Sequence, residues 1–554
     1  MPKGQESKSV NVARFLPRAA KRYPDEIAAR IPQGRRLDRS IKYQSLTFEE
    51  LNGDSDACGR ILQKSGIQRS MRVLVMVRPG RDLLLTCFAL FKLGAIPIVI
   101  DPGMKLKNFL ACVRQSRPKA MVGVRLAQAL AFVRRMTFSK INIRITTGTK
   151  KFRQDIEHFR SDIPLQPAEV SADDLAAILF TSGSTGPPKG VRYEHGIFDS
   201  QVRLVRERYR ISPGEIDLTT LPVFGLFNPA LGITTVVPEL NPSRPAKADP
   251  AKLVQAMIER KVTNAFGSPT LWRKVSDHCD EAQIRLPLIK RIMIAGASAT
   301  PDLLLRLQRS LPNASIHIPY GATEALPVAS ATADQILAGP ARLTGEGKGT
   351  CLGRPIPEVD IVILPITDNP IPSMEKTKSL DHGEIGEITV SGPIVTKAYD
   401  NLPEETKTHK IRDKDIIWHR MGDVGYLAKD GRLWFCGRKA ERVETVEGPL
   451  YTEQVEPIFH AHVDVRRSAL IGLGNKEFRE PAIVIEPEPG AFPRSSREKK
   501  HFSNELLEKA KAFVSLHGIR RIFFRRSFPV DARHNAKIHR LALAREYTEK
   551  LKLT

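Results

Sequence analysis

The chain has 554 residues, of which 41% are hydrophobic, and a formal net charge of +25 at pH 7. That length exceeds what one hydrophobic core supports and predicts roughly two to four folding units in an ordinary water-soluble composition. The positive surplus admits nucleic acid, anionic lipid, an acidic partner or a plain basic surface, but no finger spacing, basic-zipper pattern or aromatic-interleaved repeat accompanies it, so nucleic acid is not the expected partner.

Taken in chain order, the first segment, "MPKGQESKSVNVARFL", lacks the uninterrupted apolar core of a secretory signal. "RVLVMV" (72–77) reads as a buried strand. The most apolar region, "DLLLTCFALFKLGAIPIVID" (82–101), carries Lys92, Gly94 and Pro97 where a membrane span would have none, and reads as helix, turn and the buried strand "IPIVI" (96–100). "KAMVGV" (119–124), "AAILF" (176–180) and "RIMIAG" (291–296) continue the series of strands. "DPAKLVQAMIERK" (249–261) and "TPDLLLRLQRSL" (300–311) have helical periodicity between them. Buried strands separated by helices predict an α/β fold with parallel sheets covered on both faces. From about residue 355 the strands shorten, as in "VDIVIL" (359–364) and "GEIGEITVSG" (383–392), and "GYLAKDGRLWFCGR" (425–438) predicts a hairpin around its Lys-Asp-Gly turn. The charged, aperiodic stretch that follows suits a hinge, and the last hundred or so residues suit a small α+β unit. The six cysteines form no CxxC pair, which argues against disulfides and a structural zinc and favours a cytoplasmic location.

One loop stands out. "TSGSTGPPKG" (181–190) follows a strand and precedes a helix-like segment. Its glycines let backbone amides approach an anion, its hydroxyls add donors, and Lys189 adds a mobile cation. This collection suits a polyphosphate, although Pro188 and Gly190 depart from the GxxxxGK[ST] loop. Gly and Ser alone would better suit a polar surface turn; Lys189, the strand before the loop and the length of the match favour the phosphate reading.

"FTSGSTGPPKGV" resembles the phosphate-loop signature of the adenylate-forming enzymes, which include acyl-CoA synthetases, peptide-synthetase adenylation domains and luciferases. Other stretches follow in the family's order: "AGAS" (295–298), "YGATE" (320–324), "RMGDVGYL" (420–427), "GRLWFCGRKAER" (431–442) and "DARHNAKIHR" (531–540). The resemblance implies a large N-terminal adenylation domain, residues 1–437, built of parallel and mixed sheets. It also implies a small mobile α+β lid, residues 438–554, hinged near 438–440. It implies ATP and Mg²⁺ as ligands. Thr181, Ser182, Gly183, Ser184, Thr185, Gly186 and Lys189 would then cradle phosphates, and Gly296, Ala297 and Ser298 would contact adenine. Tyr320, beside Gly321, would stack on the base; Thr323 would donate to the α-phosphate. Glu324, with Thr185, would hold Mg²⁺. Asp423 and Arg438 would take the ribose, and Lys537 would stabilise the charge that builds as a carboxylate attacks phosphorus. Lys189, Thr323, Glu324 and Lys537 would form the catalytic set. His195 and His534 also fall in motifs but are read as structural.

"PYGATEALPVAS" (319–330), "FPVDARHNAKIHR" (528–540) and "VTNAFGSPTLWRKV" (262–275) resemble the β-lactone synthetases of bacterial long-chain olefin biosynthesis. That resemblance implies a 2-alkyl-3-hydroxy fatty acid as substrate, whose own hydroxyl attacks the adenylated carboxyl. Other enzymes of such a pathway are possible partners. Phe224, Phe227, Phe266, Leu271 and Trp272 would line an alkyl channel or pack the core. Glu444 and Glu447, in "VETVEGPLYTEQVE" (443–456), stand where CoA-using relatives often have Lys and Gly, so CoA is not the expected acceptor. The alternatives are a long-chain acyl-CoA synthetase or acyl-AMP ligase, and a nucleotide-binding protein that keeps the fold without the reaction.

Overall fold

The computed structural model describes residues 10–180, 187–241, 244, 247–474, 477–513, 516–531 and 537–552. Four of the apolar runs and a further strand, Ile143–Thr147, form parallel neighbours in a six-stranded sheet, in the order Ile143–Thr147, Ala120–Val124, Arg72–Met76, Ile96–Ile100 and Leu175–Phe180. Val73, Leu74, Ile98 and Val122 are wholly buried there, as expected for strands covered on both faces, each contributing about 1.5–3 kcal/mol by leaving water. The apolar stretch at 82–101 is indeed the helix Arg81–Lys92, a turn and a strand. Lys92 is buried because its ammonium reaches Asp56 at 2.5 Å, Ser55 and Asn52. Among the described residues no helix is long and apolar enough to cross a membrane.

The segment after the Gly-rich loop differs from the expected helix. Gly190–Glu194 is a strand, antiparallel to Leu175–Phe180, and the helix His195–Tyr209 starts only after it. Phe180 and Gly190 are register partners, and a Cβ at Gly190 would lie 2.6 Å from the Phe180 ring. A glycine there lets the two strands close on each other.

The second sheet has fourteen strands. Its parallel part runs through Ser315–Ala322, Arg291–Ile294, Asn264–Gly267, Ile216–Leu218, Thr234–Val236 and Ile27–Arg35. Its antiparallel part continues through Ala325–Thr332, Thr350–Pro355, Leu433–Arg438, Ile416–Leu427 and Gly386–Ser391. The predicted hairpin is present, with Leu427 opposite Leu433. Glu387 lies at the heart of this antiparallel region, wholly buried between Arg420 Nη2 at 2.6 Å and Lys439 Nζ at 3.2 Å.

After the short helix Lys439–Glu441 a separate three-stranded sheet forms from Val465–Leu473, Glu480–Pro487 and Arg521–Phe524. Alternation along its strands feeds two cores. Leu470, Ile483 and Ile485 pack with Phe459, Phe502 and Leu506 from the helices Thr452–His460 and Ser496–Lys511. Ala469, Ile471 and Val484 pack with Leu543 and Tyr547 of the helix Arg540–Lys552. The whole is an α/β fold with a large sheet-rich N-terminal part and a small α+β C-terminal part. All six cysteines are buried thiols.

Candidate active site

In a parallel sheet, ligands collect beyond the carboxyl ends of the strands. Two of the sequence motifs lie there. "AGAS" leaves the end of Arg291–Ile294, with Gly296 at φ +97° making the turn. "YGATE" closes the strand Ser315–Ala322, and Thr323 and Glu324 form the tip of a hairpin, with Ala322 opposite Ala325. A Cβ on Gly321 would meet the Ala325 carbonyl at 2.6 Å, so a glycine is required for the hairpin to close here.

Asp423 comes to this hairpin from the strand Ile416–Leu427. Tyr320 Oη donates to its Oδ2 at 2.6 Å. Arg438 Nη1 lies 2.7 Å from Oδ1 as an ion pair whose angle makes no hydrogen bond. Oδ1 therefore keeps acceptor capacity in a buried place, which fits a sugar hydroxyl. Burial pushes the Asp423 carboxyl up, against the pull of Arg438, Tyr320 and the Lys537 ammonium. Lys537, 114 positions further along the chain, is thus within electrostatic reach of Asp423. Its backbone N–H donates to Asp531 Oδ1 at 2.9 Å, and Asp531 N–H donates back to the Lys537 carbonyl at 3.0 Å. The loop 532–536, with His534, lies outside the described residues, as do Thr181, Ser182, Gly183, Ser184, Thr185 and Gly186.

Glu324 is held by groups no motif indicated. Tyr399 Oη donates to its Oε1 at 2.7 Å, and Thr396 donates to its carbonyl from N at 2.9 Å and Oγ1 at 3.1 Å. Beneath them Lys410 is buried, bonded to Thr396 Oγ1 at 3.1 Å, and burial lowers its ammonium to about 7 against the pull of Glu324. Lys189 points to the same cluster: its Nζ lies 2.5 Å from Glu405 Oε2, 2.9 Å from His409 Nε2 and 5.2 Å from the Tyr399 ring centre. Thr323 offers its carbonyl to the Tyr193 hydroxyl. Among the described residues no three acidic, His or Cys side chains gather as a metal site, so a divalent ion at Glu324 would draw further oxygens from a nucleotide.

The five apolar candidates do not share one place. Phe224 and Phe266 meet edge to face at 4.8 Å, while Phe227 packs against Phe198 at 5.9 Å. Leu271 and Trp272 are core side chains, and the Trp272 N–H donates to the Met293 carbonyl at 3.3 Å. His195 is buried with Nδ1 accepting from Val12 N–H at 3.1 Å, and burial holds it down at about 4, in keeping with a structural role. Glu444 is paired with Arg442 Nε at 2.6 Å, which softens its charge, whereas Glu447 is exposed.

Two contacts tie the C-terminal part to this place. Glu453 Oε2 accepts from Ser298 Oγ at 3.1 Å and from Thr350 Oγ1 at 2.6 Å. Within the C-terminal part itself, Arg540, three residues after Lys537, grips Glu456 through Nε and Nη2 at 2.6 Å each and Glu441 through Nη1 at 2.9 Å.

The model of the AMP-binding enzymes matches residues 16–400, spanning the loop at 181–190 and the Tyr320 hairpin. The chain belongs to that family. Within the family's curated members it is 42% identical over 553 residues to the olefin beta-lactone synthetase of Xanthomonas campestris pv. campestris, covering 98% of each chain. It is 39% identical to the olefin beta-lactone synthetase of Stenotrophomonas maltophilia, covering 96% of this chain and 97% of that one. Among solved structures, the amide bond synthetase McbA of Marinactinospora thermotolerans superposes with a TM-score of 0.78 at 21% identity, over 97% of this chain and 99% of that one. That likeness is one of fold.

Proposed function

We infer that this protein is an ATP-dependent ligase that activates a long-chain 2-alkyl-3-hydroxy fatty acid as its acyl-adenylate and closes it to a β-lactone. The observation that carries the reading is the near-complete 42% match to a relative named olefin beta-lactone synthetase, joined to the convergence of Tyr320, Asp423, Arg438 and Lys537.

In the first step a carboxylate oxygen of the acid bonds to the α-phosphorus of ATP and pyrophosphate leaves. Asp423 and Arg438 would hold the ribose, the Tyr320 ring would lie against adenine, and Lys189 would meet the outgoing phosphates. Lys537 would place its ammonium beside the charge that builds on the α-phosphate oxygens. Glu324, steadied by Tyr399 and Thr396, would hold the Mg²⁺, which supplies further charge neutralisation on the phosphates. In the second step the β-hydroxyl oxygen bonds to the acyl carbon, loses its proton, and AMP leaves. A tethered nucleophile reaches an effective molarity of about 10⁵ M or more when well oriented, so no external thiol is needed. The acidic stretch at 443–456 supports a reaction without CoA. The division at 438–440, with residues 438–554 as a lid that brings Lys537 to the nucleotide, belongs to the same reading.

The test is product analysis by mass spectrometry with MgATP and a synthetic 2-alkyl-3-hydroxy acid. We expect AMP, pyrophosphate and a product lighter than the acid by one water, all without CoA. An acyl-CoA product, and none when CoA is omitted, would replace this reading by that of an acyl-CoA synthetase.

A further inference from the structure

We propose that Glu405 is a positioning residue that competes with phosphate for Lys189 and so sets how readily pyrophosphate leaves. The inference rests on the reading of Lys189 as a phosphate ligand and adds a residue that no motif pointed to.

Glu405 and His409 sit one turn apart on the helix Pro403–His409, the spacing that puts two side chains on one face. Both reach the same ammonium, at 2.5 and 2.9 Å, and they approach each other to 3.5 Å. An ammonium only donates, so His409 Nε2 accepts and the ring proton belongs on Nδ1. Burial, then the Lys189 charge, hold the His409 ring neutral, down at about 4, which keeps it an acceptor at working pH. The Tyr399 ring closes a third side of the ammonium at 5.2 Å. An anion, a neutral acceptor and an aromatic face thus make a built berth for one lysine.

The berth adjoins the metal-side carboxylate, because Tyr399 Oη donates to Glu324. A polyphosphate that engages Lys189 has to take it from Glu405, exchanging one anion for another. The pair is part exposed, at 26% for Lys189 and 44% for Glu405, so its strength is that of a modest surface pair. It weakens phosphate binding slightly on entry. On exit it gives the lysine a partner as pyrophosphate leaves, which lowers the barrier to release.

The experiment compares full-length wild type, Glu405→Gln, Lys189→Ala and the double variant by pyrophosphate product inhibition and by KM for ATP. Glu405→Gln should lower the pyrophosphate inhibition constant and the KM for ATP by roughly two- to fivefold with kcat not raised. In the Lys189→Ala background the same change should do nothing. Glu405→Asp, whose shorter side chain reaches less far, should move both constants in the same direction if Glu405→Gln melts early. Unchanged or weaker pyrophosphate inhibition in both Glu405 variants, with Lys189→Ala still impaired, overturns this inference and leaves the proposed function standing. Unchanged ATP and pyrophosphate constants in Lys189→Ala would instead remove the phosphate role on which it rests.

Discussion

The Tyr320 hydroxyl and the Asp423 carboxylate meet at 2.6 Å across 103 positions of sequence. That bond fastens the "YGATE" hairpin to the strand that carries "MGD". The groups proposed for adenine and for the ribose are therefore set by one contact, with Arg438 completing it.

Asp423→Asn keeps the shape and removes the charge that faces Arg438. Hydrogen bonds to charged groups contribute about 1.5–3 kcal/mol, so KM for ATP should rise roughly 10- to 100-fold. Steady-state AMP release against ATP concentration measures it. An unchanged KM would take the ribose role from Asp423.

Lys537→Ala should separate chemistry from binding. Losing one preorganised charge at a developing anion costs about 10²–10³ in kcat, whereas ATP affinity, measured by titration calorimetry, should stay within a fewfold. Normal AMP release from this variant would refute the assignment.

Glu387→Gln removes the anion shared by Arg420 and Lys439. Leaving two buried cations without their partner costs roughly 3–5 kcal/mol, so the melting temperature should fall by several degrees in scanning calorimetry. A melt within one degree of wild type would show that the triad is solvated in solution.

Acid should weaken the fold before carboxylates titrate. Burial holds His195, His317, His409 and His460 down at about 4, below the ordinary 6.5. Between about 4 and 6.5 the unfolded chain therefore binds more protons than the folded one, and stability falls as pH drops through that window. Melting curves at pH 7.5, 6.5 and 5.5 should show a progressive decrease, with no such trend between pH 7.5 and 8.5 from these groups.

Much of the site is written locally. Tyr320 and Arg438 sit near strand ends and Asp423 within the strand Ile416–Leu427, each in a short motif whose residue types and neighbours suggest the role proposed for it. The cluster around Lys189 is different. Glu405 and His409 at i and i+4 make a spacing common to exposed helices, and His409 reaches Lys189 only across 220 positions. Lys410 in isolation reads as one more basic residue, and tertiary burial alone makes it unusual. The strand Gly190–Glu194 was hidden because five residues give too little alternation to outweigh the helical pattern behind them; pairing with Leu175–Phe180 decides it. Trp272 illustrates the limit of apolar signals: Ser268 and Pro269 mark where its helix starts, yet nothing local tells a core face from a channel wall.

The grip of Arg540 on Glu441 and Glu456 has a mechanical meaning. On the proposed reading it ties the pivot at 439–441, the helix Thr452–His460 and the start of the helix Arg540–Lys552, three residues past Lys537, into one arm, so that a twist at the pivot would carry the ammonium with it. Loosening that grip would leave every proposed nucleotide contact intact and still blur where the Lys537 charge would arrive.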